Sequence, residues 1–318
     1  MTTGFKTVFL FSGQGSQYSG MGRKLAEQHP VFRHSLEQSD AIIRQQLNRS
    51  LIAELHATKQ DTLDDLLITH PAIVAVEIAM YEVLRSMDIQ PDYLSGNSLG
   101  EFAAAVAGGV WSAEVALEAA IEQAKAIVSS DAAGGMLAVI HERKDLEAIY
   151  LRHQLFLAAD NFEGHFTLSG SIAGLKGFQE ELDHRGIHYL RLPVNHPFHA
   201  PLIENGRQRF QYYTAGMPPL SKPQPGFISG IQCRELTTLP EDYFWEVIRH
   251  YTNFSQIVTL LEEQGPCLYI DLGPSGTAAT FVKYNLKPGS GSHVFPIMTP
   301  YQQEIQQLEK LQQWLAGK

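Results

Sequence analysis

Ser98 stands in Gly96-Asn97-Ser98-Leu99-Gly100, with a glycine two residues to either side. A nucleophilic serine on a tight strand-to-helix turn needs that spacing, because the backbone there is strained and neighbouring side chains would clash. A hydroxyl exposed at such a turn lies at the start of a helix. Free N–H groups and the helix dipole then favour the negative charge that develops when it attacks a carbonyl. A serine hydroxyl stays a weak nucleophile until a base takes its proton. Among 13 histidines, two are grouped in His196-Pro197-Phe198-His199. A serine and a histidine of this kind could move an acyl group through a serine ester. The five-residue pattern alone also fits a structural turn. His199 could be a packed core histidine, with His196 its nearest rival.

The surrounding elements decide whether the turn is of the right kind. Thr7-Val8-Phe9-Leu10-Phe11 is a short apolar run ended by glycines, as expected of a buried strand. Helical patterns alternate with loops through Met87, one of them an amphipathic stretch beginning after Pro71. Tyr93-Leu94-Ser95 then leads into the serine turn, and an Ala-rich helix is expected from Gly100 to Ala107. Strand, sharp turn and buried helix in that order mark an α/β fold. From about Gly134 to Val194 the pattern becomes β-α-β-β-α-β, the ferredoxin-like order. We expect a small domain over residues 131–195, inserted into a large domain formed by 1–130 and 196–318. Tyr301 to Lys318 is expected to be a final surface helix.

Several spaced motifs together carry a specific resemblance. Phe11-Ser12-Gly13-Gln14-Gly15-Ser16-Gln17 with Gly20-Met21-Gly22 comes first, then Gly96 to Glu101, Gly134-Gly135-Met136, His196 to His199, and Asp271-Leu272-Gly273-Pro274. In this order, over essentially the whole chain, they resemble the malonyl-CoA:acyl carrier protein transacylase (acyltransferase) family. The resemblance implies an α/β-hydrolase-like large domain with an inserted ferredoxin-like (βαββαβ) subdomain. It implies that Ser98 takes the acyl group and that His199 is its base, the histidine being held by a side-chain amide or a backbone carbonyl, with Gln256 where that supporting residue is expected. The backbone N–H groups of Gln14 and Leu99 would form the oxyanion hole, while Asn97, His196, Phe198 and Gln123 would belong to the substrate pocket.

The departures from the family pattern are informative. Malonyl-transferring members carry an arginine on the helix after the serine, pairing with the malonyl carboxylate; here the position falls on Gln123. A guanidinium pairs with a carboxylate through two charge-assisted bonds, whereas an amide offers one neutral donor group. Burying the carboxylate without its partner costs about 3–5 kcal/mol. Lys125 could substitute, but two residues along a helix point about 200° away. Asn97 replaces the usual histidine and Ser12 the common proline. With no arginine, the nearest resemblance is to the acyl hydrolases of trans-acyltransferase polyketide synthases. Those enzymes remove stalled or incorrect non-carboxylated acyl groups from the phosphopantetheine thioesters of acyl carrier proteins. The alternative is a transacylase moving malonyl or another acyl group between coenzyme A and a carrier. A third reading, a non-catalytic carrier-binding module, is disfavoured by the retention of Ser98 and His199.

Composition sets outer limits. Of the 318 residues, 44% are hydrophobic and 18% charged, ordinary for a protein with a sizeable core. The net charge of −10 offers no basic field for nucleic acid. Two cysteines, Cys233 and Cys267, suggest a reducing compartment rather than a disulfide scaffold. The opening Met1-Thr2-Thr3-Gly4-Phe5-Lys6 has no secretory design, and no run of about 18 apolar residues calls for a membrane span. The expectation is a cytoplasmic protein, with monomeric state implied by the resemblance. No clustered ligand set or dinucleotide fingerprint points to a metal or cofactor.

Overall fold

The computed structural model describes residues 4–56 and 65–317; Met1, Thr2 and Thr3 of the opening segment, residues 57–64, and Lys318 of the expected last helix lie outside it. Among the described residues eleven strands occur: β1 Lys6–Phe11, β2 Tyr93–Gly96, β3 Gly134–Ile140, β4 Phe156–Phe162, β5 His165–Ser171, β6 Tyr189–Arg191, β7 Gly226–Ile228, β8 Glu235–Leu236, β9 Thr252–Asn253, β10 Cys267–Asp271 and β11 His293–Pro296. They form two sheets.

The larger sheet has the order β11-β10-β1-β2-β7-β8 and is parallel except at β8. Its central strand is the apolar run expected from the sequence. Val8, Phe9, Leu10 and Phe11 are all buried, because a parallel strand between helical layers has no solvent face. The second sheet has the order β6-β3-β5-β4-β9. Its first four strands pair antiparallel and come from one continuous segment. The helices Arg143–Arg152 and Ile172–Arg185 bury Leu146, Ile149, Phe178 and Leu182 against Leu137, Val139, Phe166 and Leu168 of that sheet. This is the ferredoxin-like arrangement, carried by an α/β-hydrolase-like large domain. β9 joins it from outside, pairing parallel with β4 through Ala159 and Thr252.

One expectation is overturned. The helix placed after Pro71 runs from Leu66 to Ser86, with Pro71 inside it. Asp65 starts it, its carboxylate accepting the Leu67 N–H at 3.1 Å. Proline lacks one N–H, and the bond it forfeits is offset by burial. The helix is not amphipathic: from Ile68 to Met80 every residue is buried, Glu77 and His70 included. It is long and apolar enough to cross a membrane, yet here it is the central helix of the core.

The serine turn shows why its glycines are required. A Cβ on Gly100 would lie 2.3 Å from the Phe11 carbonyl oxygen, and one on Gly96 2.3 Å from the Glu101 nitrogen. Both obstacles are backbone and cannot swing aside. We expect Gly100→Ala to destabilise the fold by about 2–3 kcal/mol. Urea unfolding should read this as a lower midpoint, whereas Gly109→Ala, with no atom within 4 Å of the added carbon, meets only the strain of its positive φ.

Candidate active site

β1 and β2 run parallel with Phe11 opposite Gly96. Both chains therefore leave the sheet at the same edge, and Gln14 and Leu99 each lie three residues beyond that pair. A Cβ on Gly13 would stand 2.6 Å from the Asn97 carbonyl oxygen, so the two loops touch where the glycine is. Ser98 has φ 55°, a conformation that strains a residue with a side chain by about 1–3 kcal/mol. It sits just before the helix Gly100–Ala107 and is 9% exposed as a residue. Among the described residues neither the Gln14 nor the Leu99 N–H has an acceptor, which leaves both free for a developing oxyanion. The Gln14 side chain is held separately. Its amide donates to the Thr69 hydroxyl at 2.9 Å, and its carbonyl accepts from His70 Nδ1 at 3.0 Å.

His199 likewise has positive φ, 58°. Its N–H donates to the Ile248 carbonyl at 2.8 Å, and its Nδ1 lies 2.5 Å from the His250 carbonyl oxygen. A carbonyl only accepts, so Nδ1 carries the proton and Nε2 is left as the basic nitrogen. The helix Tyr243–Arg249, which delivers that carbonyl, is bolted to the segment following His199. Arg249 donates to Glu204 at 2.6 Å, and Arg207 joins Glu204 to Glu246. Burial opposes ionisation of Glu204, but the two guanidinium groups hold its carboxyl below the ordinary value.

Ser98 and His199 open on one cavity of about 300 Å³. Gln14, Asn97 and Phe198 join them on the large-domain side, and Met136, Ala138, Ala159 and Thr167 of β3, β4 and β5 form the facing wall. The small subdomain therefore supplies one wall of the pocket. The structure corrects three expected placements. Gln256 is exposed on the helix Phe254–Glu262, and its expected support of His199 comes instead from the His250 carbonyl. Gln123 does not line the cavity: it is fully buried, and its amide donates to the Phe244 carbonyl at 2.6 Å, which draws it into the core. His196 is also outside the lining, its Nδ1 3.3 Å from the Ala132 carbonyl oxygen. Backbone carbonyls leave no residue-type signal, so His250 could not be found from sequence. Thr69 and His70 had one, as polar residues opening an apolar helix.

Comparison with known proteins agrees with this geometry. Residues 8–316 match the acyl transferase domain family. The chain belongs to that family. It is 36% identical over 312 residues to the polyketide biosynthesis acyltransferase homolog PksD of Bacillus subtilis (strain 168), covering 96% of this chain and 95% of that protein. It is 34% identical to the homolog BaeD of Bacillus velezensis, with the same coverage. Its fold superposes with a TM-score of 0.86 on the acyltransferase domain from the second module of the salinomycin polyketide synthase, at 26% identity, covering 96% of this chain and 72% of that one.

To act as a base for Ser98, His199 must be neutral. Burial pushes its imidazole down to about 4 from 6.5, while the bond to the His250 carbonyl pulls the other way. The base form is therefore present throughout the neutral range and is lost only as pH falls through the lowered value. We expect kcat/KM for an acyl thioester to stay flat from about pH 8 to about pH 6 and to fall with unit slope only below about pH 4. A single acid limb centred at 6.5, the ordinary histidine value, would contradict the buried, carbonyl-held imidazole.

Proposed function

We propose that this acyl transferase family member is an acyl hydrolase of polyketide biosynthesis, clearing uncharged acyl groups from carrier-protein thioesters through an ester on Ser98. The observation that carries this is the chemistry of the cavity wall. Among the described residues lining it there is no Lys, Arg, Asp or Glu. A free malonyl carboxylate entering it would meet no counter-ion, at a cost of about 3–5 kcal/mol. Gln123 offers no charge, and Lys125 is paired with Glu122 at 2.7 Å. Relatives matched along nearly their whole length are named for polyketide biosynthesis, which supports the setting.

In this mechanism His199 Nε2 takes the Ser98 hydroxyl proton as Oγ attacks the thioester carbonyl. The oxyanion forms against the N–H groups of Gln14 and Leu99. Collapse breaks the carbon–sulfur bond, and Nε2 returns the proton to the leaving thiol. Water then gives a proton to Nε2 as it attacks the ester, and collapse breaks the bond to Oγ while Nε2 returns that proton to Oγ, releasing the free acid and restoring Ser98. A second reading keeps the first half and lets a thiol take the place of water. The family and both relatives carry the name acyltransferase, which favours that acceptor.

Mass spectrometry of carrier proteins loaded with acetyl, butyryl or malonyl groups separates the two. We expect acetyl and butyryl carriers to lose their acyl group as free acid and malonyl carrier to persist. Ser98→Ala should slow the loss by about 10³-fold or more. Intact transfer of malonyl from coenzyme A to an empty carrier would overturn the hydrolase.

A further inference from the structure

Glu77 lies in the middle of the core helix Leu66–Ser86, fully buried, and takes no part in the chemistry described above. Its Oε1 accepts the Ser12 backbone N–H at 2.5 Å, and its Oε2 has no hydrogen-bond partner among the described residues. Ser12 is the first residue beyond β1, two before Gln14. A second buried carboxylate, Asp271, lies near Glu77. Asp271 accepts the N–H groups of Gly273 at 2.9 Å and Ala279 at 2.7 Å. A Cβ on Gly273 would collide with the Ser12 hydroxyl oxygen at 2.0 Å, so the Gly273 turn closes directly over that residue.

We propose that Glu77 is a positioning residue for acylation: by holding the Ser12 N–H it fixes the turn that aims the Gln14 N–H at the acyl carbonyl on Ser98. This rests on the acyl-enzyme reading of Ser98 and holds for water or thiol as the final acceptor. The loop is pinned at three successive residues. Glu77 takes Ser12, the Asn97 carbonyl packs on Gly13, and Thr69 with His70 takes the Gln14 side chain. Two of these three clamps come from one helix, so loop and helix move together. A buried carboxyl is a costly way to satisfy one N–H. Burial and the nearby Asp271 raise its proton affinity well above the ordinary value, while the Ser12 N–H opposes them. Protonated or not, Oε1 remains an acceptor, which is all the clamp requires.

The test compares Glu77→Gln, which keeps the acceptor, with Glu77→Met, which keeps length and volume and removes it. Rapid-quench mass spectrometry of the intact protein would follow acylation of Ser98 by butyryl-N-acetylcysteamine, per active site counted from the final acylated fraction. Met in an apolar helix also relieves the burial of a carboxyl, so the variant is expected to fold. We expect Glu77→Met to lower the maximal acylation rate about 100-fold, as for an oxyanion donor lost, with the half-saturating thioester concentration within about twofold. Glu77→Gln should stay within about threefold of wild type. Acylation of the Met variant within that threefold range, or a change in half-saturation with the maximal rate unchanged, would refute the positioning role. So would a Gln variant as slow as the Met variant. Wild-type acylation tests the reading of Ser98, and the ratio between variants tests Glu77, so the two fail separately.

Discussion

The pairing of Phe11 with Gly96 is the constraint from which the site follows. Two parallel neighbours must end at the same edge of the sheet, so the loops after them emerge side by side. One loop then carries the strained serine and the other a free N–H. A slip of one residue in this pairing would turn every side chain of β1 to the opposite face, where both faces are already packed. It would also move Gly100 from beneath the Phe11 carbonyl, where only hydrogen fits. Packing of the apolar strand therefore holds the catalytic register to one value, and the core and the site are stabilised by the same contacts.

Around this edge the protein uses backbone carbonyls and buried carboxyls beside the ion pairs of Glu204 with Arg207 and Arg249. Glu101, the residue after the serine turn, is fully buried; it accepts the Gly230 N–H at 2.9 Å and the Tyr243 hydroxyl. Burial pushes its carboxyl up to about 8 against those two bonds. Tyr243 begins the helix whose far end presents the His250 carbonyl to His199. A chain of hydrogen bonds thus links the helix that follows Ser98 to the helix that holds His199. Each member is expensive to bury alone and satisfied only when the others are in place, which favours one arrangement over near alternatives.

The sequence was most legible where residue type and geometry are coupled. Continuous apolar runs read as buried strands, and the alternation of strand-like and helical segments showed the β-α-β-β-α-β succession of the small subdomain, though not the added β9. Glycine spacing gave the serine turn, because only glycine fits where backbone approaches backbone at 2.3 Å. Legibility failed where the partner is main chain. The His250 carbonyl would serve equally with another side chain at that position, so Gln256 was the more visible and the wrong support. It failed again at Pro71, where local preference was overridden by burial of the whole helix. Gln123 was located on its helix but not in the pocket, because the pattern of a helix does not tell which neighbouring carbonyl will capture an amide.

The support given to His199 also bears on what the site can cleave. A carbonyl orients the imidazole but carries no full charge to stabilise the imidazolium that forms as the serine gives up its proton. A carboxylate would. Held at about 4, the base gives little driving force for proton removal. An amide, whose nitrogen must be protonated to depart, would ask more of such a histidine than it can supply. A thioester asks less: a thiol ionises near pH 8.5, so sulfur leaves with little help. In the proposed hydrolysis the second half is the harder one, since water resists deprotonation more than a thiol does. Hydrolysis through this site therefore depends on the oxyanion donors more than on the base. Under that reading the placement of the Gln14 N–H, and the helix side chains that hold its loop, would set the rate of the slower half.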